Sequence, residues 1–325
     1  MNIQPKVSIV IPVYNGSDYL SEAIESALAQ TYPNKEVVVI NDGSVDNGET
    51  ERIALSYGRQ IRYYAKENGG VGSALNLAIS KMSGEYFSWL SHDDLYYPDK
   101  IALQVQALAE ISGMERVILY GDYAAFFGDA VDRVSEKRLP HVPPELFRYF
   151  ITTQNVLHGC TLLVPKRAFE ECGVFNESLR TTQDYDLWFR MAGKYRFVHM
   201  PQLLVMGRSH AGQGSVKMKD VALNEINEML SGFVMGLSKE ELSLATLKTP
   251  ALTYARTAEN FLLRGFSKAA RIARKLALEN LWGGSVWDGL LSLLILLRGM
   301  IIGAPFGRLR GILSRLRFKA RKCLG

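Results

Sequence analysis

The sequence predicts an α/β protein: a mostly parallel central sheet flanked by helices, with an α-helical C-terminal extension. Three observations carry that prediction. Short β-branched runs alternate with helix-period segments over the first ~110 residues, the order that builds a parallel sheet covered on both faces. The buried runs end abruptly in polar residues. From Lys219 onward the strand pattern is gone and only helical periodicity remains.

The first run, Val7 to Ile11, reads as a buried strand stopped by Pro12 and turned by Asn15-Gly16. Ser17 or Asp18 then caps a helix whose apolar positions Leu20, Ala23, Ile24, Ala27 and Leu28 recur at 3.6-residue spacing. After Pro33-Asn34, the run Val37 to Ile40 ends at Asn41, Asp42, Gly43 and Ser44. A polar helix around Glu49 to Tyr57 and a strand at Ile61 to Tyr64 follow. The loop Glu67-Asn68-Gly69-Gly70 opens a helix carrying Leu75, Ala78 and Ile79, which Ser83-Gly84 ends.

Tyr86 to Leu90 is the fourth buried run. It ends at Ser91, His92, Asp93 and Asp94, before Pro98 starts a helix with Ile101, Val105 and Leu108. Two adjacent carboxylates after a buried strand must face water or hold a cation, because uncompensated charge there is costly. In parallel sheets, ligands gather at the carboxyl ends of strands. Tyr14 and Asn15, Asp42, the Asn68 loop and Asp93-Asp94 all fall at such ends.

Val117 to Tyr120 reads as a further strand, Ser135 to Pro144 as an irregular connection with three prolines, and Cys160 to Val164 as a strand preceded by His158-Gly159. A short helix covers Lys166 to Glu171. Thr181-Thr182-Gln183-Asp184 leads into a helix, Tyr185 to Met191, whose buried face is Leu187, Trp188 and Met191. Phe197 to Val205 is extended, and Arg208 to Ser215 is a glycine-rich polar loop. Leu252 to Asn280 forms a helical pair divided near Gly265, with the look of one tetratricopeptide-type hairpin, too few for a repeat array.

The expected organisation is a domain over residues 1–218, a helical region over 219–283 and an amphipathic, basic tail over 284–325. The apolar run Gly289 to Phe306 is shorter than the ~20 residues that span a bilayer and is interrupted by Arg298. It reads as an interfacial helix backed by a polybasic tail, which suits an anionic membrane surface. A packed core helix with a solvated charged end is the second reading, and a true spanning helix the third.

Of 325 residues, 47% are hydrophobic, enough for a substantial core. The formal charge of +5 describes the C-terminus, since no acid follows Asp288 while Arg308, Arg310, Arg315, Arg317, Lys319, Arg321 and Lys322 all do. Nucleic-acid binding by the main body is therefore not implied. Cys160, Cys172 and Cys323 lack CxxC spacing, and fit a reducing cytosol rather than a disulfide framework or a zinc site. The N-terminal apolar run is too short for a signal peptide and is broken by Pro12.

The segments VSIVIPVYNGSDYLSEAIESALAQTYPNKEVVVINDGS, NGGVGSALNLAIS, GEYFSWLSHDDL and TTQDYDLWFRMA resemble, in that order, the motifs of the family 2 glycosyltransferases, over roughly residues 5 to 215. The resemblance implies a GT-A fold, Rossmann-like, and an inverting, metal-dependent transfer from a nucleoside-diphosphate sugar, a UDP-sugar above all. The acceptor it implies is a saccharide or lipid-linked saccharide, in bacterial surface-polysaccharide assembly, with the enzyme cytoplasmic and peripheral at the inner membrane face.

It also implies roles. Pro12, Tyr14 and Asn15 belong to the segment that holds the nucleotide, with Tyr14 against the base, and Asp42 accepts a hydrogen bond from uracil. Asn68 and Gly69 lie on the donor side, and Asp93 contacts the ribose. Asp94, with Asp93 and His210, holds Mn2+ or Mg2+, and Asp184 is the catalytic base, with Asp186 a weaker candidate. Two departures stand out. Ser91 occupies the place of the first Asp in the common DxDD pattern, and Gln183-Asp184 replaces a Glu-Asp pair. Without the resemblance, Asp42 reads equally as a turn former and Asp93-Asp94 as a solvated loop before a helix. His158 reads as a strand cap ahead of a residue lining the acceptor side, and Trp188 as core beneath Asp184.

Two other classes were weighed. A dinucleotide oxidoreductase is disfavoured, because Pro-Val-Tyr-Asn-Gly rather than GxGxxG follows the first strand. A non-catalytic nucleotide-sugar binder or scaffold acting through the helical C-terminus is the remaining alternative.

Overall fold

Val7–Val13 (β1) is buried at every position and lies at the centre of a five-stranded sheet. Lys35–Asp42 (β2) and Tyr86–Trp89 (β4) flank it, with Arg62–Lys66 (β3) beyond β2 and Val164–Pro165 (β8) beyond β4. Strands β1 to β4 are parallel, and β8 runs antiparallel to β4. Helices Leu20–Leu28 (α1), Glu49–Ser56 (α2) and Val71–Lys81 (α3) make the crossovers. Burial on both faces is why β1 and β2 read as unbroken apolar runs. The structure is a computed structural model and describes residues 4–210, 212–213, 217–246 and 249–303.

A second sheet has the order β5-β9-β6-β7, from Leu95–Tyr96 (β5), Val117–Phe127 (β6), Ser135–Lys137 (β7) and Arg196–Ser209 (β9). Lys100–Glu110 (α4) packs the buried side chains Ile101, Val105 and Leu108. Lys100 is itself fully buried: its ammonium donates to Ser88 Oγ at 2.8 Å and Gln104 Oε1 at 2.9 Å and lies over the Tyr96 ring.

Several expectations need correcting. Pro12 does not stop β1, which continues to Val13. Val10 accepts from Leu90 N on the β4 side, and the β4 pairing ends at Val10. Alternation makes Pro12 point the same way, past the end of β4, so its missing N–H leaves no acceptor unpaired. Neither Ser17 nor Asp18 caps α1; the cap residue is Tyr19 and no side chain caps it.

Strand β6 runs past Tyr120 to Phe127, because the polar break at Gly121-Asp122 is absorbed by an irregular pairing with β9. The buried Asp122 carboxylate accepts from Leu139 N at 2.9 Å. Part of the proline-rich connection, β7, pairs with β6 as an exposed edge strand. Residues 160–164 are not one strand: Gly159–Thr161 is a 3₁₀ turn, held by Thr161 Oγ1 on His158 O, and strand pairing with β4 starts only at Val164. Strand β9 continues through Arg208 and Ser209, which had read as loop.

The chain divides into two compact units, Met1–Phe147 with Asn155–Ala222, and Arg148–Gln154 with Leu223–Gly325. In the first, Lys166–Cys172 (α6) and Gln183–Ala192 (α7) complete the cover. Helices dominate the second: Phe147–Thr153 (α5), Lys219–Gly236 (α8), Lys239–Thr246 (α9), Pro250–Leu263 (α10), Ser267–Glu279 (α11) and Val286–Gly303 (α12). Ala255, Ala258 and Phe261 of α10 and Ala269, Ala273 and Ala277 of α11 are buried, the small side chains allowing close approach. No helix among the described residues is long and apolar enough to cross a membrane. The basic tail beyond Gly303 lies outside the described residues.

Candidate active site

The carboxyl ends of the parallel strands are stitched together by short-range polar contacts. At the end of β1, Asn15 takes a left-handed conformation (φ 48°), which asparagine tolerates better than most residues. Its amide donates to Ser44 Oγ at 2.9 Å and its Oδ1 accepts from Val45 N at 2.7 Å, tying the first loop to the loop after β2. Tyr14 is 45% exposed, which leaves its ring open to a ligand. Gly16 lies against His92, where any Cβ would clash with the imidazole. Burial lowers the pKa of His92.

Asp42, at the end of β2, is buried and its carboxylate accepts from three donors within the chain. Its Oδ1 accepts from Lys66 Nζ at 2.8 Å and Gly69 N at 3.0 Å, and its Oδ2 from Gly70 N at 2.7 Å. Asn68 Nδ2 donates to the Asp42 carbonyl at 2.9 Å. Gly70, at φ +89°, turns its amide onto the carboxylate just before α3; other residues resist that conformation. A Cβ there would lie 3.1 Å from Arg180 Nη1, so this loop faces the approach to α7.

Asp93 and Asp94 follow β4. Asp94 is almost fully buried, its Oδ1 accepting from Arg208 N at 2.9 Å and its Oδ2 from the Cys160 thiol at 3.5 Å. His158 Nε2 lies 3.7 Å from the same Oδ2. Burial and then the neighbouring Asp93 charge push the Asp94 carboxyl well above the usual range. Asp93 Oδ2 is 3.0 Å from His210 Nε2, and the His210 ring meets Tyr19 edge-on.

Beneath both acids runs the buried side chain of Arg208. It donates to Asp93 O at 2.9 Å, Gly128 O at 2.7 Å, Asp129 Oδ1 at 3.1 Å and Glu22 Oε2 at 2.6 Å, and lies over the Tyr19 and Phe126 rings.

Asp184 is the second residue of α7, its Oδ1 accepting from Tyr185 N at 2.9 Å. Burial raises its pKa to about 6, against that hydrogen bond. A Cβ on Gly159 would stand 3.7 Å from Asp184 Oδ2 and 2.8 Å from the Trp89 ring. Asp184 thus opens onto the turn whose His158 and Cys160 meet Asp94. Asp186 instead pairs with Arg190 at 2.9 Å, one turn further along the helix.

The residues singled out in the sequence therefore line one edge, with Pro12 buried inside β1 as backbone support. Sequence reasoning undervalued three others. Arg208 stood in a presumed loop, His158 read as a cap, and Cys160 carried no motif; no local pattern marks them. Asp94, His158 and Cys160 each offer a ligand atom, all within 4.8 Å of one another, and His158 Nδ1 is buried with no hydrogen-bond partner. Together with the Asp93–His210 pair, this donor set fits a divalent cation.

The parallel sheet gathers these acids at its carboxyl edge, where ligands bind in such folds. Residues 8–171 match the family described as Glycosyl transferase family 2, and the chain belongs to that family. It is 46% identical over 278 residues to an uncharacterized glycosyltransferase of Rickettsia felis, covering 84% of this chain and 45% of that one. The chain thus spans less than half the length of that relative. With the chondroitin synthase of Pasteurella multocida it shares 30% identity over 218 residues, 66% of this chain and 22% of that one.

Among solved structures, the mannosyltransferase PcManGT from Pyrobaculum calidifontis, in complex with GDP-Man and Mn2+, has a TM-score of 0.56 at 17% identity, covering 93% of this chain and 88% of that one. S. aureus TarS 1-349 in complex with UDP-GlcNAc gives 0.53 at 16%, covering 86% and 92%. These likenesses establish the GT-A fold.

Proposed function

We propose that the chain is an inverting, metal-dependent glycosyltransferase that moves a hexosyl or N-acetylhexosaminyl group from a nucleoside-diphosphate sugar, a UDP-sugar above all, to a saccharide or lipid-linked saccharide. The observation that carries this reading is Asp184: a carboxyl held near pKa 6 by burial, opening onto the turn that meets Asp94. A base with that pKa is ionised at neutral pH yet still basic enough to accept a proton. Asp184 takes the proton from the acceptor hydroxyl as its oxygen attacks the anomeric carbon, and the nucleoside diphosphate leaves from the opposite face.

Tyr14, supported by Pro12 and Asn15, stacks on the base. Asp42 accepts the uracil N–H through the lone pair that Lys66, Gly69 and Gly70 leave, with Asn68 and Gly69 holding the loop in place. Asp93 contacts the ribose. A cation held by Asp94, Asp93 and His210 would neutralise charge on the departing diphosphate, and the two carboxylates suit Mn2+ or Mg2+. The named ligands of the two solved neighbours, UDP-GlcNAc and GDP-Man with Mn2+, support a nucleotide-sugar donor and a divalent ion. The similarity to polysaccharide synthases supports a role in bacterial surface polysaccharide, with the enzyme cytoplasmic and peripheral at the membrane.

The test is a thermal-shift screen of UDP, GDP and their sugars with and without Mn2+, since a ligand of the folded state raises its apparent stability. UDP with Mn2+ should stabilise both the wild type and Asp184→Asn, while only the wild type transfers sugar. Full transfer by the variant would exclude Asp184 as the base.

A further inference from the structure

Helix α12 is packed inside out. Its small residues face inward: Ser292 is fully buried with its hydroxyl on Asp288 O at 2.6 Å, and a Cβ on Gly299 would stand 3.2 Å from Leu262 of α10. Leu296 is buried beside them. Most of the other large apolar residues point outward. Val286, Trp287, Leu290, Leu294 and Leu297 are exposed, Trp287 by 80%, and Trp282 on the approach by 87%. A continuous apolar stripe of this size marks an interaction surface, where scattered exposed leucines would not.

We propose that this face docks on an anionic lipid surface, with α12 lying in the plane of the interface. Charge selects the occupant. Of the cations on α11 beside it, Lys268 pairs with Glu228 and Lys275 with Glu279. Arg271 and Arg274 share a groove of about 360 Å³ with Glu259 of α10 and with Ile295 and Leu296 of α12. From Gly289 to Gly325 the sequence has cations and no acid. A protein groove would suit the leucines equally, but it would not call for this basic border. Tryptophans at one end of the stripe suit the headgroup level, and no described helix is long and apolar enough to span. The inference rests on the membrane placement proposed above and fixes which face of α12 makes the contact.

Intrinsic fluorescence tests it, because Trp282 and Trp287 are exposed while Trp188 is buried and Trp89 half-buried. The full chain is titrated with phosphatidylcholine vesicles, with and without phosphatidylglycerol, carrying brominated acyl chains. With phosphatidylglycerol the emission should shift to the blue and be quenched, an effect that weakens as salt rises. Trp282→Phe with Trp287→Phe should lose that signal yet still sediment with vesicles. Leu290→Ser with Leu294→Ser should weaken partitioning about tenfold or more, with an unchanged circular dichroism spectrum.

Three results would overturn the proposal: no binding to anionic vesicles, wild-type partitioning by the leucine variant, or a leucine variant that changes only the oligomeric mass in light scattering. The last would make the face a contact between copies. None of these readouts depends on sugar transfer, whose failure would appear in the UDP thermal shift and the Asp184 variant instead.

Discussion

Replacing Asp184 by asparagine separates the proton-accepting role of the carboxyl from its structural one. The Oδ1 bond to Tyr185 N can be made equally by an amide oxygen. What asparagine cannot do is ionise. Burial lifts the Asp184 carboxyl from 3.8 to about 6, so keeping it charged at neutral pH costs about 3 kcal/mol, at roughly 1.36 kcal/mol per pH unit. Between those two values the folded protein holds a proton that the unfolded chain has released. Stability therefore falls as pH rises across that window, and the penalty is complete above it.

Asp184→Asn should thus resist urea better than the wild type by up to ~3 kcal/mol at neutral pH, and the gain should vanish at about pH 3. Transfer should fall by roughly 10²- to 10⁴-fold. Wild-type kcat/KM should rise about tenfold per pH unit below the Asp184 pKa and level off above it. Equal urea midpoints at both pH values would refute a buried, strained carboxylate, and retained transfer would refute the base.

Gly159→Ala would push a methyl into the Trp89 ring, 2.8 Å away, beside Asp184; acceptor kcat/KM should drop while UDP binding, followed by calorimetry, is unchanged. Arg208→Lys cannot reproduce a guanidinium that serves Asp93 O, Gly128 O, Asp129 and Glu22 together. It should cost about 3 kcal/mol in denaturant unfolding and weaken Mn2+-dependent nucleotide binding, because the Asp93-Asp94 loop loses its support. Burial lowers Lys100 from 10.5 to about 7, so across that range the unfolded chain holds the extra proton and wild-type stability should rise with pH. Lys100→Met should flatten the profile, as urea midpoints measured along that range would show.

The candidate site was legible wherever a short segment carries its own logic. Asp42, Asp93 and Asp94 close or follow a buried run, Asn68 follows the half-buried β3, and parallel pairing brings such ends to one edge. The engagement of Asp42 was not legible. Two of its donors, Gly69 and Gly70, come from the loop after β3, and the β2–β3 register sets the third, Lys66, opposite Asp42. Cys160 looked like the start of a strand because its neighbours are apolar and β-branched; the 3₁₀ turn that redirects it is stabilised by a contact with Ser91 from the β4 end.

What the sequence by itself determined was the alternation of strand and helix, the acids at strand ends and the change to helices from Lys219, since hydrophobic periodicity and turn chemistry act over a few neighbouring residues. Tertiary structure alone decided that Arg208 reaches Glu22, 186 residues away, and that its backbone meets Asp94 across 114 residues. It also decided that α12 turns Ser292, Leu296 and Gly299 inward and Leu290, Leu294 and Leu297 outward. An apolar helix carries no mark of which side its neighbours will occupy; the approach of α10 selects that side.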